Sequence, residues 1–269
     1  MKFIPRQPTS NVNVTKTSAM WEFLVLAGGL LAIILVFYLT LGFAVEMLIP
    51  HLSPGIEQAM AVNLLPQIVD GETDETKSRK LQPLLDHLQE HCAKLPYHCI
   101  IKVSVSPQVN AIALPGGTII VFTGLLDKLT SENELAFVLG HEMGHFVHRD
   151  HLRALGRGLV FMAISTILLG PHNQVTSMVS RFVNLTELNF SRRQETAADH
   201  FSLDVLHCTY GHVEGALTFF EKLTAVKPSH DNTVSFFSSH PLYPKRVHDL
   251  KAYCRKHGFT SGNLTPLAE

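Results

Sequence analysis

Charge is scarce in this 269-residue chain: Asp, Glu, Lys and Arg make up only 17% of it, and the net charge is -1. It therefore carries no electrostatic footprint for nucleic acid. Lys and Arg are missing altogether from residue 17 to residue 76, and inside that gap residues 23–45 carry no charge of either sign. At ~1.5 Å of rise per residue such a run crosses a hydrocarbon core of about 30 Å. It exceeds the apolar core of a signal peptide, about 7–15 residues. No cysteine stands behind it before Cys92, which argues against a lipid-linked terminus. The expectation is an uncleaved transmembrane anchor, with Trp21 placed as an interfacial aromatic. Lys2, Arg6 and Lys16 precede the run and nothing basic follows it until Lys77. The positive-inside bias then leaves the N-terminus cytoplasmic and puts the main domain across the membrane, in a bacterial periplasm ahead of an organelle compartment.

Cysteine is nearly as sparse. Of the four, Cys92, Cys99, Cys208 and Cys254, no two have the C-x-x-C spacing of a zinc knuckle. An even number in an exported domain suggests two disulfides in one of three connectivities. Cys92 with Cys99 would close a short loop and leave Cys208 with Cys254; four unpaired thiols are the other reading.

The patterning that is present divides the chain into an N-terminal segment 1–22, the anchor 23–45, a linker 46–76, a domain 77–257 and a tail 258–269. Leu81, Leu84, Leu85 and Leu88 follow helical spacing over residues 77–94. Residues 100–105, 111–114 and 118–122 read as strands. The turn Pro115-Gly116-Gly117 separates the last two, so the expectation is a small antiparallel sheet. Beyond Gly124 the pattern is helical. Ser131 with Glu134 forms a capping-box signature, and residues 190–207, 212–226 and 241–256 read as further helices. The uncharged stretch 158–170 is short for a membrane span and reads as a buried helix or hairpin, with membrane contact the alternative.

Histidine, by contrast, is plentiful at sixteen. Two of them, His141 and His145, stand at i and i+4 and face one ion from one side of a helix, while Glu142 beside them reaches a water on that ion as a general base. A catalytic zinc needs a third protein ligand and an open position. Glu195, on a later predicted helix, supplies that ligand, and Asp199 one turn on can accept a hydrogen bond from a ligand imidazole, His141 in particular. Ala197 and Ala198 allow the two helices to approach. His148 and His151 read as structural.

These stretches resemble the M48 family of membrane-associated zinc metallopeptidases. The matching segments are residues 110–117, Glu134 through the HEMGH core to His151, Glu195 to Asp199, and Ser239-His240-Pro241 with Arg246 beyond. The resemblance implies a mainly helical α+β gluzincin fold and one Zn2+ per chain. It also implies endopeptidase activity on protein or peptide substrates at a membrane, often in envelope quality control. His240 then becomes a catalytic candidate as oxyanion donor, or else the occupant of the open zinc position at rest. Arg246 would hold its segment through an acidic partner. Asn110, Ala111, Ile112 and Ala113 could pair with an extended substrate, provided their strand lies at a sheet edge. The rival is a zinc-binding chaperone-like or regulatory protein with latent or no turnover.

Overall fold

The computed structural model describes residues 18–68, 72–170, 190–225, 240 and 245–267. The basic residues at 2, 6 and 16, and Ser239 and Pro241 beside His240, lie outside them. The chain begins with helix α1 (Ala19–Leu48), capped by Ser18, whose hydroxyl accepts from the Trp21 amide. None of its residues is buried. A 3₁₀ turn (Ile49–His51) leads into α2 (Pro54–Ile68), so the expected linker is largely helical. Helix α3 (Glu75–Cys92) follows and buries Leu81, Leu85 and Leu88.

Strands β1 (Ile100–Ser104), β2 (Ala111–Leu114) and β3 (Thr118–Phe122) form one sheet in the order β1-β3-β2. β2 and β3 make the expected antiparallel hairpin. β1, however, runs parallel to β3, so the sheet is mixed rather than antiparallel. The short connection 105–110 sets the direction. It starts β2 at the end of the sheet where β1 stops, Ala111 opposite Val121 and Ser104 opposite Phe122. β2 therefore runs against β1, and the hairpin returns β3 parallel to it. Ile119, Ile120, Val121 and Phe122 are all buried, so β3 takes the centre. Ile100 is half exposed and Lys102 partly so, which suits β1 to an edge. Side chains of α3 then finish that edge: Gln82 Oε1 accepts from the Ile101 amide, Gln89 Oε1 from Cys99 and Ser78 Oγ from Val103.

After α4 (Thr123–Leu126), Ser131 opens α5 (Glu132–His148) with a complete capping box to Glu134. The expected tail is not loose, since Thr265 and Pro266 pair with the head of α5. Arg149, in the left-handed region at φ 52°, ends α5 and at once begins α6 (Asp150–Leu169). Residues 158–170 are thus not a separate buried element. They belong to a 20-residue helix with several exposed apolar side chains. Helices α7 (Arg192–Tyr210), α8 (Ala216–Ala225) and α9 (Arg246–His257) complete the described chain. The core gathers α3, one face of the sheet, α5, α7 and α8 around Phe137 and Phe219.

The cysteine pairing departs from both sequence readings. Cys92 is bonded to Cys208, while Cys99 and Cys254 are free. Cys99 is fully buried at the start of β1, whereas Cys92 and Cys208 end up close because α3 packs against α7. Denatured but unreduced protein should therefore yield two titratable thiols, from Cys99 and Cys254, and peptide mapping should recover a bond from Cys92 to Cys208. A yield of no thiol or four contradicts this pairing.

Candidate metal centre

α5 and α7 pack tightly at Gly144. A Cβ built there would stand 2.8 Å from the Ala198 Cα, so any side chain at 144 forces the helices apart. That contact, with Ala198 itself fully buried, brings the HEMGH turn of α5 against the acidic turn of α7.

The ligating atoms of His141, His145, Glu195 and His240 all lie within 4.8 Å of one another. Nε2 of His145 is 3.2 Å from Nε2 of His141, which is 3.1 Å from Nδ1 of His240. Glu195 Oε1 lies 3.1 Å from the same His240 nitrogen and 3.6 Å from His145. All four residues are buried. This donor set could hold a metal ion, and imidazole nitrogens with a carboxylate suit zinc. Neither oxygen of Glu142 has a hydrogen-bond partner among the described residues, although the side chain is buried. Its Oε1 lies 3.5 Å from Nε2 of His240. A buried carboxylate that accepts no hydrogen bond is costly, and the His240 imidazole is the cationic neighbour that can offset it.

Around the cluster a second layer fixes the rings. Nδ1 of His141 donates to Asp199 Oδ1 at 2.9 Å, and Nδ1 of His145 donates to Asp150 Oδ2 at 3.0 Å. Both imidazoles thereby turn Nε2 toward the centre. Asp150 is absent from the sequence reading. It follows His145 by five residues across the left-handed corner at Arg149, a relation that no linear spacing announces. Gln194 Nε2 donates to its other oxygen at 2.7 Å, and Phe190 stacks on the His145 ring at 4.0 Å.

Arg246 joins the layers. Its guanidinium donates through Nε and Nη2 to Asp199 at 2.7 and 2.9 Å, lies 2.7 Å from Glu195 Oε2, and donates through Nη1 to the His240 carbonyl at 3.1 Å. Burial opposes ionisation of Asp199, but the Arg246 charge and hydrogen bonds, with that of His141, hold its carboxyl below the usual range. Burial likewise opposes ionisation of Glu195, and His240, His141 and Arg246 outweigh it, so this carboxyl too is held low. Burial pushes His145 down and keeps it neutral, the form that can ligate. Burial would also lower His240, yet the Glu195 and Glu142 carboxylates raise it.

A family model for peptidase family M48 matches residues 75–254, from the first residue of α3 into α9. The chain belongs to this family. M48 metalloproteases depend on zinc, in keeping with the donor set just described. Among curated relatives, the mitochondrial metalloendopeptidase OMA1 of Arabidopsis thaliana is 33% identical over 67% of this chain and 36% of its own length. The metalloprotease LoiP of Escherichia coli is 34% identical over 56% of this chain and 60% of its own. A second protein from that bacterium, the metalloprotease YcaL, is 31% identical over the same shares, 56% and 60%. The chain thus spans between a third and three fifths of the length of these relatives.

The other sequence candidates fall in two groups. His148 and His151 stand apart from the M48 cluster, His151 buried with Nε2 3.4 Å from Glu57 Oε2. Ala111, Ile112 and Ala113 lie on β2, which the sheet order makes an edge strand, and they and Asn110 are buried. A cleft of about 990 Å3 opens beside the cluster, lined by Asp150, Phe190, Gln194 and Ala197 and, from the α1 side, by Glu46 and Arg153. Asp199→Asn should leave the fold in place while metal affinity, measured by chelator competition on the full chain, falls about 10–100-fold. An unchanged affinity would mean that Asp199 does not orient His141.

Proposed function

We propose that this chain is a membrane-anchored zinc endopeptidase in which His141, His145 and Glu195 hold one zinc ion and Glu142 is the general base. The observation that carries the reading is the convergence of the ligating atoms on one point beside the buried Glu142 carboxylate, whose oxygens accept no hydrogen bond among the described residues. Zinc held there would act as a Lewis acid on the scissile carbonyl and lower the pKa of water at the site. Glu142 accepts the proton of the attacking water and returns it to the leaving amine. Asp199 and Asp150 keep the two ligand imidazoles in the ligating tautomer, and Arg246 holds Asp199 and Glu195 ionised. Asn110, Ala111, Ile112 and Ala113 offer the β2 edge to an extended substrate backbone, which gives binding with little side-chain selectivity. Misfolded or membrane and envelope proteins are the substrates this arrangement would suit.

For placement, α1 is long and apolar enough to cross a membrane. The N-terminal basic residues put its start on the cytoplasmic side and the domain on the other. The bond between Cys92 and Cys208 supports that side, because disulfides persist in oxidising compartments.

One observation favours a latent resting form of the same enzyme. His240 turns Nδ1 into the donor cluster, 3.1 Å from both His141 Nε2 and Glu195 Oε1, where it could complete the coordination of a metal ion. The β2 edge is buried as well. His240 is then a fourth donor at rest and an oxyanion donor only once its imidazole has left the cluster.

Full-chain protein with Glu142→Gln should retain zinc and lose casein cleavage about 10²–10⁴-fold. Cleavage unaffected by the substitution contradicts the assignment of the base. His240→Ala separates the two roles of that residue: release of a resting block raises the initial rate, whereas loss of an oxyanion donor lowers it about 10²–10³-fold.

A further inference from the structure

α1 and α6 leave the domain together as an antiparallel pair. Arg149, at the head of α6, donates to the carbonyls of Ile49 and Leu52 just past the end of α1. One turn along, Arg153 Nε lies 2.8 Å from Glu46 Oε2. Further on, Gly156 meets Val45 so closely that a Cβ at 156 would overlap the Val45 side chain. Each step forward along α6 is thus a step back along α1. The least exposed positions of α1, among them Ala27, Ile34, Leu41 and Val45, recur at sevens and fours, which is one face of a helix.

Val45 is also the last residue of the uncharged run 23–45. α6 therefore passes the level where that run ends at Gly156, and everything beyond lies beside the run. Residues 158–170 contain no charge, and at ~1.5 Å per residue they extend about 20 Å, some two thirds of a hydrocarbon core of about 30 Å. Their outward surface is apolar: Leu159 is 45% exposed, Phe161 49%, Ile167 71% and Leu168 48%. A helix facing water would carry polar residues there. The charged side chains of this helix end at Arg157, where a long cationic side chain reaches headgroups while its stem stays in hydrocarbon.

We propose that α6 enters the bilayer beside α1 from the domain side, so that its exposed apolar face is covered by lipid acyl chains. The proposal rests on the reading that α1 spans the membrane, and it replaces the single anchor with a helix pair. The next described residue after Gly170 is Phe190, which stacks on His145. The chain is at the metal centre again there, and α6 itself reaches only about two thirds of the way across the hydrocarbon core. A consequence concerns the reach of the enzyme. Asp150, which holds His145, precedes Arg157 by seven residues, about 10 Å of helix. Cleavage is then confined to segments close to the membrane surface.

The test uses the full chain in vesicles of phosphatidylcholine with or without bromine on the acyl chains. Trp21→Phe removes the one native tryptophan. Single tryptophans are then placed by Leu168→Trp on α6, Leu31→Trp in the middle of α1 and Lys251→Trp on the exposed side of α9, with retained zinc content as the check on folding. The proposal expects the probes at 168 and 31 to emit in the blue and lose most of their fluorescence to brominated lipid, and the probe at 251 to respond only to iodide in water. Quenching at 31 with an iodide-accessible probe at 168 overturns the proposal while the α1 reading stands. A probe at 168 shielded from both quenchers, in chains that cross-link to one another, makes a second copy the occupant and also overturns it. Loss of lipid quenching at both 31 and 168 overturns the α1 reading and the proposal with it.

Discussion

Glu142, Glu195 and Asp199 are all buried around a knot of imidazoles, and negative charges so close together in an apolar interior would drive one another to protonate. Arg246 prevents this for Asp199, and for Glu195 it adds to the larger effect of His240 and that of His141. Fully enclosed, it binds both oxygens of Asp199, contacts Glu195 and also ties down the His240 carbonyl. Its planar fork makes such multiple contacts possible, which a lysine could not reproduce. The proposed ligand carboxylate, the ring-orienting Asp199 and the segment bearing His240 thus depend on one cation from α9. Glu142 makes no contact of this kind with Arg246 and faces the His240 imidazole instead.

That electrostatic arrangement requires close helix packing. The contact between Gly144 and Ala198 draws α5 onto α7, and the corner at Arg149 then folds α6 back so that its first residue reaches His145. Arg149 adopts an unfavourable left-handed conformation, but its side chain gains the carbonyls of Ile49 and Leu52. The corner that orients a proposed ligand is therefore also the point at which α1 joins the domain. The apolar helix α1 and the candidate metal centre share a mechanical connection through a few residues.

Much of this was legible from local pattern. The capping box at Ser131, the leucine spacing of α3 and the hairpin turn at residues 115–117 all act between near neighbours, and the structure forms each as expected. His141 and His145 face one way because helix periodicity requires it. Features set by tertiary packing were not legible. β1 joins β3 in parallel because β2 starts at the end of the sheet where β1 stops, and Cys92 meets Cys208 across 116 residues because α3 lies on α7. Asp150 was missed because a left-handed corner, unmarked by glycine, breaks the helical count between it and His145. The stretch 158–170 looked short only because Asp150, His151, Arg153 and Arg157 conceal where its helix begins.

Zinc content tests the central claim most directly. Full-chain protein, purified without added metal and measured by plasma emission, should carry one zinc per chain, and Glu195→Ala should carry almost none while keeping its helical content. Zinc-free protein that still cleaves casein, or zinc retained in full by Glu195→Ala, would contradict a site built from His141, His145 and Glu195.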